Sequence, residues 1–220
     1  MLVLRPSSHK LEGMGGQKHK KRGENDLRAL ILDASRRIVL EDGFSALTMR
    51  RVARTIGYSA TTLYLYFENR EAIVAELGRE ALDGLAVELE KIPPAAPASE
   101  RLRAYAETYL RYSAAQPDGY RLIFMESSEL ADAIFRGRHS DGVTSAGARA
   151  YGILVHAFAE LQTREAAWAR TDPARSAEVF WTSLHGLASL KITCGRFLQT
   201  PTDEMLALMV PALLRGLAGG

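Results

Sequence analysis

Apolar residues recur every three or four positions along much of this chain. The period is clear between Leu27 and Ile38 and again between Ile73 and Leu89, and it places these residues on one face of an α-helix. Beyond residue 98 no stretch alternates apolar and polar residues as a half-buried strand would. The pattern predicts an all-α protein of about nine helices, with a proline-rich break at Pro93–Pro97 after the fourth.

Cap residues divide residues 47–69 into two short helices. Thr48 stands at the N-cap of the first, and Gly57 can take the left-handed backbone conformation that ends a helix. Ser59 can cap the second helix, which keeps Leu63 for the core. Two short helices joined by a glycine turn are typical of a helix-turn-helix, whose second helix lies in the major groove of DNA.

The outer faces of these two helices carry the side chains that would read DNA. Those of the second helix and its aromatic exit are Ser59, Ala60, Thr61, Thr62, Tyr64 and Tyr66. Arg50, near the start of the first helix, can reach a guanine edge with its two-pronged guanidinium, and the Thr48 hydroxyl can bind a phosphate. Tyr64 also fits a core aromatic with only its hydroxyl exposed. Arg51 and Arg54 fit either phosphate contacts or a solvated helix face.

The sequence from Thr62 to Glu71, Thr-Leu-Tyr-Leu-Tyr-Phe-Glu-Asn-Arg-Glu, resembles a signature of the tetracycline-repressor (TetR/AcrR) family of bacterial transcriptional regulators. In that family the signature covers the recognition helix and the start of the next helix, and the resemblance here extends from about Leu27 to Leu77. It implies a base contact for Arg50. The positions that it implies at the DNA backbone are Tyr64, Tyr66 and Arg70.

Three positions depart from the commoner pattern of that family. Ala60 and Thr61 stand where many members have Lys or Pro followed by Gly, so the base preference cannot be carried over from a relative. Arg70 replaces the more usual Lys, which keeps the positive charge but changes the geometry of any phosphate contact.

Positive charge is concentrated in the first third of the chain. Residues 1–70 contain 13 Lys or Arg and 7 Asp or Glu, a net charge of +6. Residues 71–220 contain 15 and 19, a net charge of −4, which leaves +2 for the whole chain. Lysine and arginine bind DNA by displacing counterions from its phosphates, so the excess supports a DNA-binding domain in residues 25–70.

Residues 1–24 are rich in Gly, Ser, Lys and His and show no apolar period. This composition predicts a disordered basic arm. The basic run within it includes Lys20, Lys21 and Arg22. These residues either contact DNA, as the arms of other helix-turn-helix proteins do, or only keep the chain soluble.

Residues 71–220 predict a helical domain for ligand binding and dimerisation. Apolar walls with a few polar tips suit a site for a small, largely apolar effector. The candidate ligand-binding residues are Tyr105, Tyr109, Tyr112, Phe124, Met125, Phe158, Trp181 and His185. Each aromatic residue at helical spacing also fits the ordinary core, and His185 also fits a buried, hydrogen-bonded structural histidine.

A second motif, Trp-Thr-Ser-Leu-His-Gly at Trp181–Gly186, resembles a signature in one branch of the same family, the Trp-His-Gly (WHG) branch. Pro117–Phe124 resembles the stretch that precedes it in that branch. The resemblance implies a symmetric homodimer joined by the last two helices, with an inducer pocket in each subunit. The last helix also has an apolar surface too wide for one neighbour. The expected interface residues are Leu187, Leu190, Met209, Leu213 and Leu214.

Composition and motifs argue against other classes of protein. No apolar stretch is long enough to span a bilayer, and the N-terminus lacks the layout of a secretion signal. A lone Cys194 agrees with a reducing compartment, so we expect a cytoplasmic protein without a membrane partner. The five histidines lie far apart, and no phosphate loop, metal-ligand spacing or nucleophile elbow is present. We therefore expect no enzyme, no cofactor and no metal site.

Three classes of function compete for this sequence. A ligand-responsive repressor binds a palindromic DNA operator as a dimer and is released by an effector, and it accounts for the motif, the charge distribution and the apolar last helices. An enzyme has no motif to support it. A helical interaction protein that had lost DNA binding would have a neutral or acidic first domain, unlike this chain. The sequence favours the DNA-binding regulator.

Overall fold

The computed structural model of the chain describes residues 13–125 and 146–219. Within these ranges it contains nine α-helices, two short 3-10 helices and no β-strand, which confirms the predicted all-α fold. The α-helices are α1 (Gly13–Asp42), α2 (Met49–Ile56), α3 (Ala60–Tyr64), α4 (Arg70–Glu90), α5 (Ala98–Ala115), α6 (Pro117–Phe124), α7 (Ala146–Arg164), α8 (Pro173–Thr193) and α9 (Thr202–Ala218). The 3-10 helices are Phe44–Ala46 and Ala166–Trp168.

The chain folds into two compact units, Met1–Ile73 and Val74–Gly220. In the first unit, α2 packs against α1 and α3, around a core in which Ile31, Leu47 and Leu63 are almost completely buried. Burying each such side chain away from water contributes about 1.5–3 kcal/mol to the stability of the fold. This core fixes the angle between the two short helices of the helix-turn-helix.

The predicted caps of the helix-turn-helix are confirmed. The Thr48 side chain accepts a hydrogen bond from the Arg51 amide at 3.1 Å, and Ser59 accepts one from the Thr62 amide at 3.1 Å. Gly57 ends α2 with φ 74° and ψ 26°, the left-handed conformation that favours glycine. These local interactions end α2 and start α3 where the sequence predicts.

Helix α1 begins earlier than the sequence predicts. Its backbone is helical from Gly13, whereas the sequence predicts a disordered arm up to residue 24. Residues 13–24, predicted to be part of a disordered arm, are therefore helical, and the rest of that arm, residues 1–12, lies outside the described residues. The run Gln17–Arg22 is rich in unbranched Gln, Lys and Arg, which favour helix without any apolar period.

In the second unit, α5 packs against α7, α8 and α9. The core of this unit includes Leu102, Leu154, Phe180 and Leu184, all completely buried. Helix α8 begins as predicted, because the Asp172 carboxylate accepts hydrogen bonds from two amides of the first turn and a proline occupies the first helical position. No helix within the described residues is long and apolar enough to cross a membrane.

Two polar links connect neighbouring helices of the second unit. The Tyr112 hydroxyl of α5 donates a hydrogen bond to the Ala81 carbonyl of α4 at 2.7 Å. This approach requires Gly84, because a Cβ atom there would collide with the Tyr112 hydroxyl. Arg149 of α7 donates to Asp83 at 3.0 Å and to Glu90 at 2.9 Å, both on α4. Helix α4 is thereby held to α5 and α7.

Candidate DNA interface and effector cavity

Helix α3 presents the predicted reading residues on one solvent-facing surface. Ser59 and Thr61 are exposed, while Ala60 and Thr62 are half-buried. Leu63, on the opposite side, is fully buried and anchors the helix in the core. Ser59 and Thr62 share a hydrogen bond of 2.8 Å between their hydroxyls. The helix therefore offers methyl groups and hydroxyls at a fixed orientation.

Tyr64 and Tyr66 lie at the end of α3 and just beyond it. The Tyr64 side chain is 54% exposed, which argues against the alternative that it is a core aromatic. Tyr66 is half-buried, and its backbone carbonyl accepts a hydrogen bond from Arg28 at 3.5 Å. The exposure of Tyr64 agrees with a contact to the DNA backbone, and for both tyrosines that contact stays a prediction.

The three arginines of α2 have different surroundings. Arg51 forms an ion pair with Asp42 of α1, an intramolecular role that the sequence did not reveal. Arg50 and Arg54 are exposed, and no ion pair joins either of them to another described residue. Thr48, beside Arg50, uses a lone pair of its hydroxyl for the cap and keeps the hydroxyl hydrogen for another acceptor. Arg50 and Thr48 thus form the cationic, hydrogen-bonding start of α2.

Arg70 has a structural role that the sequence did not predict. Its Nη2 donates a hydrogen bond to the Phe44 carbonyl at 2.9 Å, and its guanidinium carbon lies 5.9 Å from the centre of the Phe44 ring. Its Nε is buried without a hydrogen-bond partner among the described residues. The side chain therefore fixes the 3-10 turn that leads into α2.

The remaining predicted DNA contacts lie within helix α1, and they are Lys20, Lys21 and Arg22.

A cavity of about 360 Å³ lies inside the second unit. Helices α4, α5, α6, α7 and α8 all contribute to its wall, which is formed by Leu82, Leu85, Tyr105, Tyr109, Phe124, Gly147, Ala148, Ala150, Tyr151, Glu178 and Trp181. We call this space the effector cavity. Its size falls in the range of small-molecule sites, and its wall is mostly apolar and aromatic. Four of the predicted ligand-binding residues line it, namely Tyr105, Tyr109, Phe124 and Trp181.

The other four predicted ligand-binding residues do not line the effector cavity. Phe158 is completely buried, with its ring centre 5.6 Å from that of Trp168 and 5.7 Å from that of Phe180. Tyr112 is directed at α4, and Met125 is exposed at the end of α6. Their contact with an effector stays a prediction. They do not border this cavity because helical spacing identifies a buried face, but not which part of that face borders a void.

His185, the fourth of these residues, is held in a hydrogen-bonded network beside the cavity. Its Nδ1 lies 2.7 Å from the Tyr120 hydroxyl and 3.2 Å from the Tyr109 hydroxyl. The Tyr120 hydroxyl also lies 3.0 Å from the His185 carbonyl, to which it can donate. Burial lowers the pKa of His185, which favours a neutral ring whose Nδ1 accepts a hydrogen bond. This geometry supports the structural alternative for His185.

Two tyrosines of this network have raised pKa values. Burial raises the pKa of Tyr120 to about 12 and that of Tyr109 well above its ordinary value. Both hydroxyls therefore remain protonated and act as hydrogen-bond donors at neutral pH. Tyr120 was not among the predicted site residues, although it lies in the stretch that resembles the family.

Sequence reasoning also missed part of the cavity wall. Tyr151 of α7 lines the cavity and donates a hydrogen bond to the Ala174 carbonyl at 3.0 Å. Glu178 of α8 lines it as well and is exposed. A signal existed for both residues, because Tyr151 lies seven positions before Phe158 and Glu178 lies three positions before Trp181. Each spacing places the missed residue on the same helix face as a predicted one.

A second, larger cavity of about 870 Å³ lies between α5, α8 and α9. Its wall includes the charged residues Arg103, Glu107, Arg111, Lys191 and Asp203. The mixture of signs and the solvent-facing positions distinguish it from the aromatic effector cavity. No group of three or more His, Cys, Asp or Glu that could hold a metal ion occurs in the described residues.

The predicted dimer-interface residues differ in exposure. Leu187 is 5% exposed and belongs to the core of its own chain, so it does not form part of the surface. Leu190 is 44% exposed, and Met209, Leu213 and Leu214 are half-buried. Leu208 of α9, which was not among the predicted residues, is 73% exposed. Helices α8 and α9 therefore leave apolar side chains on the surface of the single chain.

Two family models match this chain. A model for bacterial regulatory proteins of the tetR family matches residues 31–77, and a model for tetracyclin repressor-like C-terminal domains matches residues 102–213, about half of the chain. Both models describe regulators. The C-terminal match does not specify the Trp-His-Gly branch, so that finer assignment remains a prediction. A search of curated proteins finds no significant match.

Solved structures share the fold at low sequence identity. A Rhodococcus protein of unknown function is 24% identical, with a TM-score of 0.68 over 87% of this chain and 95% of its own. The fatty acid degradation regulator FadR of Bacillus halodurans is 17% identical, with a TM-score of 0.68 over 85% and 94%. FadR of Bacillus subtilis, solved with stearoyl-CoA, is 18% identical, with a TM-score of 0.63 over 87% and 98%. With both family models matching the helical architecture, the chain belongs to the tetracycline-repressor family of ligand-responsive transcriptional regulators.

Proposed function

We propose that this protein is a repressor that binds a palindromic DNA operator as a homodimer and is released when a small effector enters the effector cavity. The observation that carries the proposal is the solvent-facing surface of α2 and α3. Arg50 is exposed on α2 without an ion pair to a described residue, and the side chains of Thr48 and Ser59 cap α2 and α3, respectively. A regulator of this kind acts on the chromosome in the cytoplasm.

In the DNA complex, α3 lies in the major groove. The methyl groups of Ala60 and Thr61 face thymine methyls, and Arg50 donates two hydrogen bonds to a guanine edge. Thr48 and the first amides of α2 bind a phosphate, and Tyr64 and Tyr66 bind the backbone on either side. Arg70 acts mainly by positioning the turn before α2, because its guanidinium already donates to the Phe44 carbonyl.

Dimerisation uses the apolar surface that α8 and α9 leave uncovered. Leu190 and Leu208 are exposed in the single chain, and burying them against a second copy removes apolar surface from water. A two-fold dimer carries two α3 helices, which fit successive major grooves when they lie about 34 Å apart. A palindromic operator matches that symmetry.

The effector acts by binding more tightly to a form of the dimer whose α3 spacing no longer fits DNA. Its site is the effector cavity, whose aromatic wall favours a largely apolar molecule. The stearoyl-CoA in FadR of Bacillus subtilis shows that a protein of this fold holds an organic ligand. Because this chain is only 18% identical to that FadR, the chemistry of its effector depends on its own cavity residues.

The test of this function is a binding titration of the full chain against the intergenic DNA next to its own gene. A scrambled duplex of the same composition is the control, and both are measured at two salt concentrations. We expect a dimer-stoichiometric complex with the native DNA that is at least about a thousandfold tighter than with the scrambled duplex and weakens steeply with salt. Equal, weak binding to both, together with failure to select any sequence from a random DNA library, would contradict the proposal.

A further inference from the structure

The described part of the effector cavity's wall combines aromatic rings with one charged side chain. The rings belong to Tyr105, Tyr109, Phe124, Tyr151 and Trp181. Among the described residues of the wall, Glu178 is the one charged side chain, and none is Lys, Arg or His. An aromatic face carries partial negative charge, so the rings and the carboxylate present the same sign to a bound molecule.

No described residue forms an ion pair or hydrogen bond with the Glu178 carboxylate, whereas the Glu178 backbone carbonyl accepts a hydrogen bond from the Thr182 hydroxyl at 2.7 Å. The side chain is exposed, which places the carboxylate where the cavity meets solvent. A ligand can therefore approach this negative charge without breaking a hydrogen bond or ion pair that a described residue makes with it.

The tyrosine hydroxyls of the wall are already used. Tyr105 donates to the Ala150 carbonyl at 3.4 Å, Tyr151 donates to the Ala174 carbonyl at 3.0 Å, and the Tyr109 hydroxyl lies 3.2 Å from His185 Nδ1. Their hydrogens point away from a ligand for as long as these bonds last. The described part of the wall thus offers a ligand ring faces and a carboxylate, and it offers an anion little to bind.

We infer that the effector of this protein is an amphipathic cation, an ammonium group attached to an apolar body. The apolar body fills the aromatic part of the cavity, and the cationic group lies against ring faces and toward Glu178. The inference rests on the proposed function, because it assigns a chemical class to the effector of that same cavity. It sets this chain apart from FadR of Bacillus subtilis, whose ligand in the solved structure is stearoyl-CoA, an anion.

The test compares two probes of the same shape, phenyltrimethylammonium and its uncharged isostere tert-butylbenzene. Binding to the full chain is measured by calorimetry and by tryptophan fluorescence, for which Trp181 in the cavity wall is a reporter and Trp168 is buried in the core. We expect the cation to bind at least about tenfold more tightly than the isostere. Equal affinities, or tighter binding of the isostere, would overturn the inference.

A charge-removing variant shows whether the preference comes from Glu178. We expect Glu178→Gln to lose about tenfold in affinity for the cation and to keep its affinity for tert-butylbenzene within about twofold. Glu107→Gln is the matched control, because it removes the same charge from the second cavity, and it should bind both probes as the unchanged chain does. A cation preference that is undiminished in Glu178→Gln, or stearoyl-CoA that binds more tightly than the cation, would contradict the inference.

Operator binding in the same samples separates this inference from the function on which it rests. Specific DNA binding without any preference for the cation would overturn the inference and leave the repressor intact. A cation preference that depends on Glu178, in a protein that binds no specific DNA, would overturn the proposed function and leave the ligand class standing.

Discussion

The two units of this protein hold their functional side chains in different ways. In the helix-turn-helix, the caps join residues three apart, as Thr48 joins Arg51 and Ser59 joins Thr62. In the second unit, the links around the effector cavity join residues far apart in the chain, as when Tyr109 meets His185 seventy-six positions later. The reading surface is therefore fixed by local chemistry, and the cavity by the packing of whole helices.

This difference has a consequence for how each site responds to change. A local cap survives small shifts of distant helices, because all of its atoms lie on one or two turns of chain. A long-range link fails when any one of the helices that carry it moves. We therefore expect the second unit to convert the entry of a ligand into helix motion, while the reading surface of α2 and α3 moves as a rigid body.

The largest effect should follow from placing charge on the apolar surface of the last helix. Replacing both Leu213 and Leu214 with Glu should convert the proposed dimer to monomers and weaken operator binding by about a hundredfold or more, because the two half-sites are then bound independently. Sedimentation velocity gives the oligomeric state, and circular dichroism checks that the helices remain. Dimers of normal stability in this variant would place the interface elsewhere.

The next largest effect concerns base reading by α2. Arg50→Ala should weaken specific operator binding by about 1–3 kcal/mol and relax sequence preference at one base pair. Arg54→Ala is the matched control, since Arg54 is another exposed arginine of the same helix without an ion pair to a described residue, and its loss should weaken binding to all sequences alike. Arg70 is unsuitable as the control, because removing it also releases the Phe44 turn.

For these two arginines the measurement is a set of titrations against the operator and against single-base variants, at two salt concentrations. A loss of specificity in Arg54→Ala equal to that in Arg50→Ala would show that neither residue reads a base. An unchanged sequence preference in Arg50→Ala would move base reading entirely to α3.

A medium effect should follow from disturbing the contact between α4 and α5. Gly84→Ala introduces a methyl group where the Tyr112 hydroxyl lies, so the hydrogen bond to the Ala81 carbonyl is lost and we expect a cost of about 1–3 kcal/mol in stability. Gly152→Ala is the matched control, because nothing lies within 4 Å of its new Cβ atom and alanine favours helix by about 0.5–1 kcal/mol. Urea unfolding, followed by tryptophan fluorescence, measures both variants.

The expected changes in the free energy of unfolding have opposite signs in the two variants, so the measurement distinguishes them clearly. A gain of stability in Gly84→Ala would mean that Tyr112 moves aside without loss and that α4 and α5 are not held by this contact. A loss in Gly152→Ala would show that α7 is packed more tightly than the structure indicates.

The same division between local and long-range links explains how much could be predicted from the sequence. Thr48, Gly57 and Asp172 end or start helices through chemistry confined to a few residues, so their roles followed from residue type and spacing. Tyr105 and Phe158 have the same helical spacing to other aromatics, yet one lines the effector cavity and the other packs against Trp168 in the core. Only the assembled helices distinguish them.

The surroundings of charged residues are equally hard to predict from the sequence. Arg51 and Arg50 are adjacent and chemically identical, but the side chain of Arg51 reaches Asp42, nine positions earlier and across a turn. Glu178 lies three positions before Trp181 on α8, but its place on the cavity wall depends on where α5 and α7 lie. Patterns along one helix cannot show which neighbouring helix a side chain faces.

The smallest effect expected is a pH dependence of stability that comes from the His185 network. Because burial lowers the pKa of His185 in the folded chain, the unfolded chain takes up a proton first as the pH falls below about 6.5. The contribution of His185 to the free energy of unfolding is therefore fully present above that pH. It decreases as the pH falls toward the lowered pKa of His185 in the folded chain, by at most about 1.4 kcal/mol per pH unit. Urea unfolding at pH 7.5 and 5.5, read from the two tryptophans of the second unit, measures this loss.

His185→Gln should show a smaller loss of stability between these two pH values than the unchanged chain, although it is less stable at both because the Tyr109 and Tyr120 hydroxyls lose their contacts with the imidazole Nδ1. His156→Gln is the matched control, since His156 is an exposed histidine of the same unit, and it should keep the full pH dependence. If His185→Gln kept the full dependence instead, the proton uptake would belong to another group. The long-range network around His185 would then hold the helices in place without making the second unit sensitive to pH.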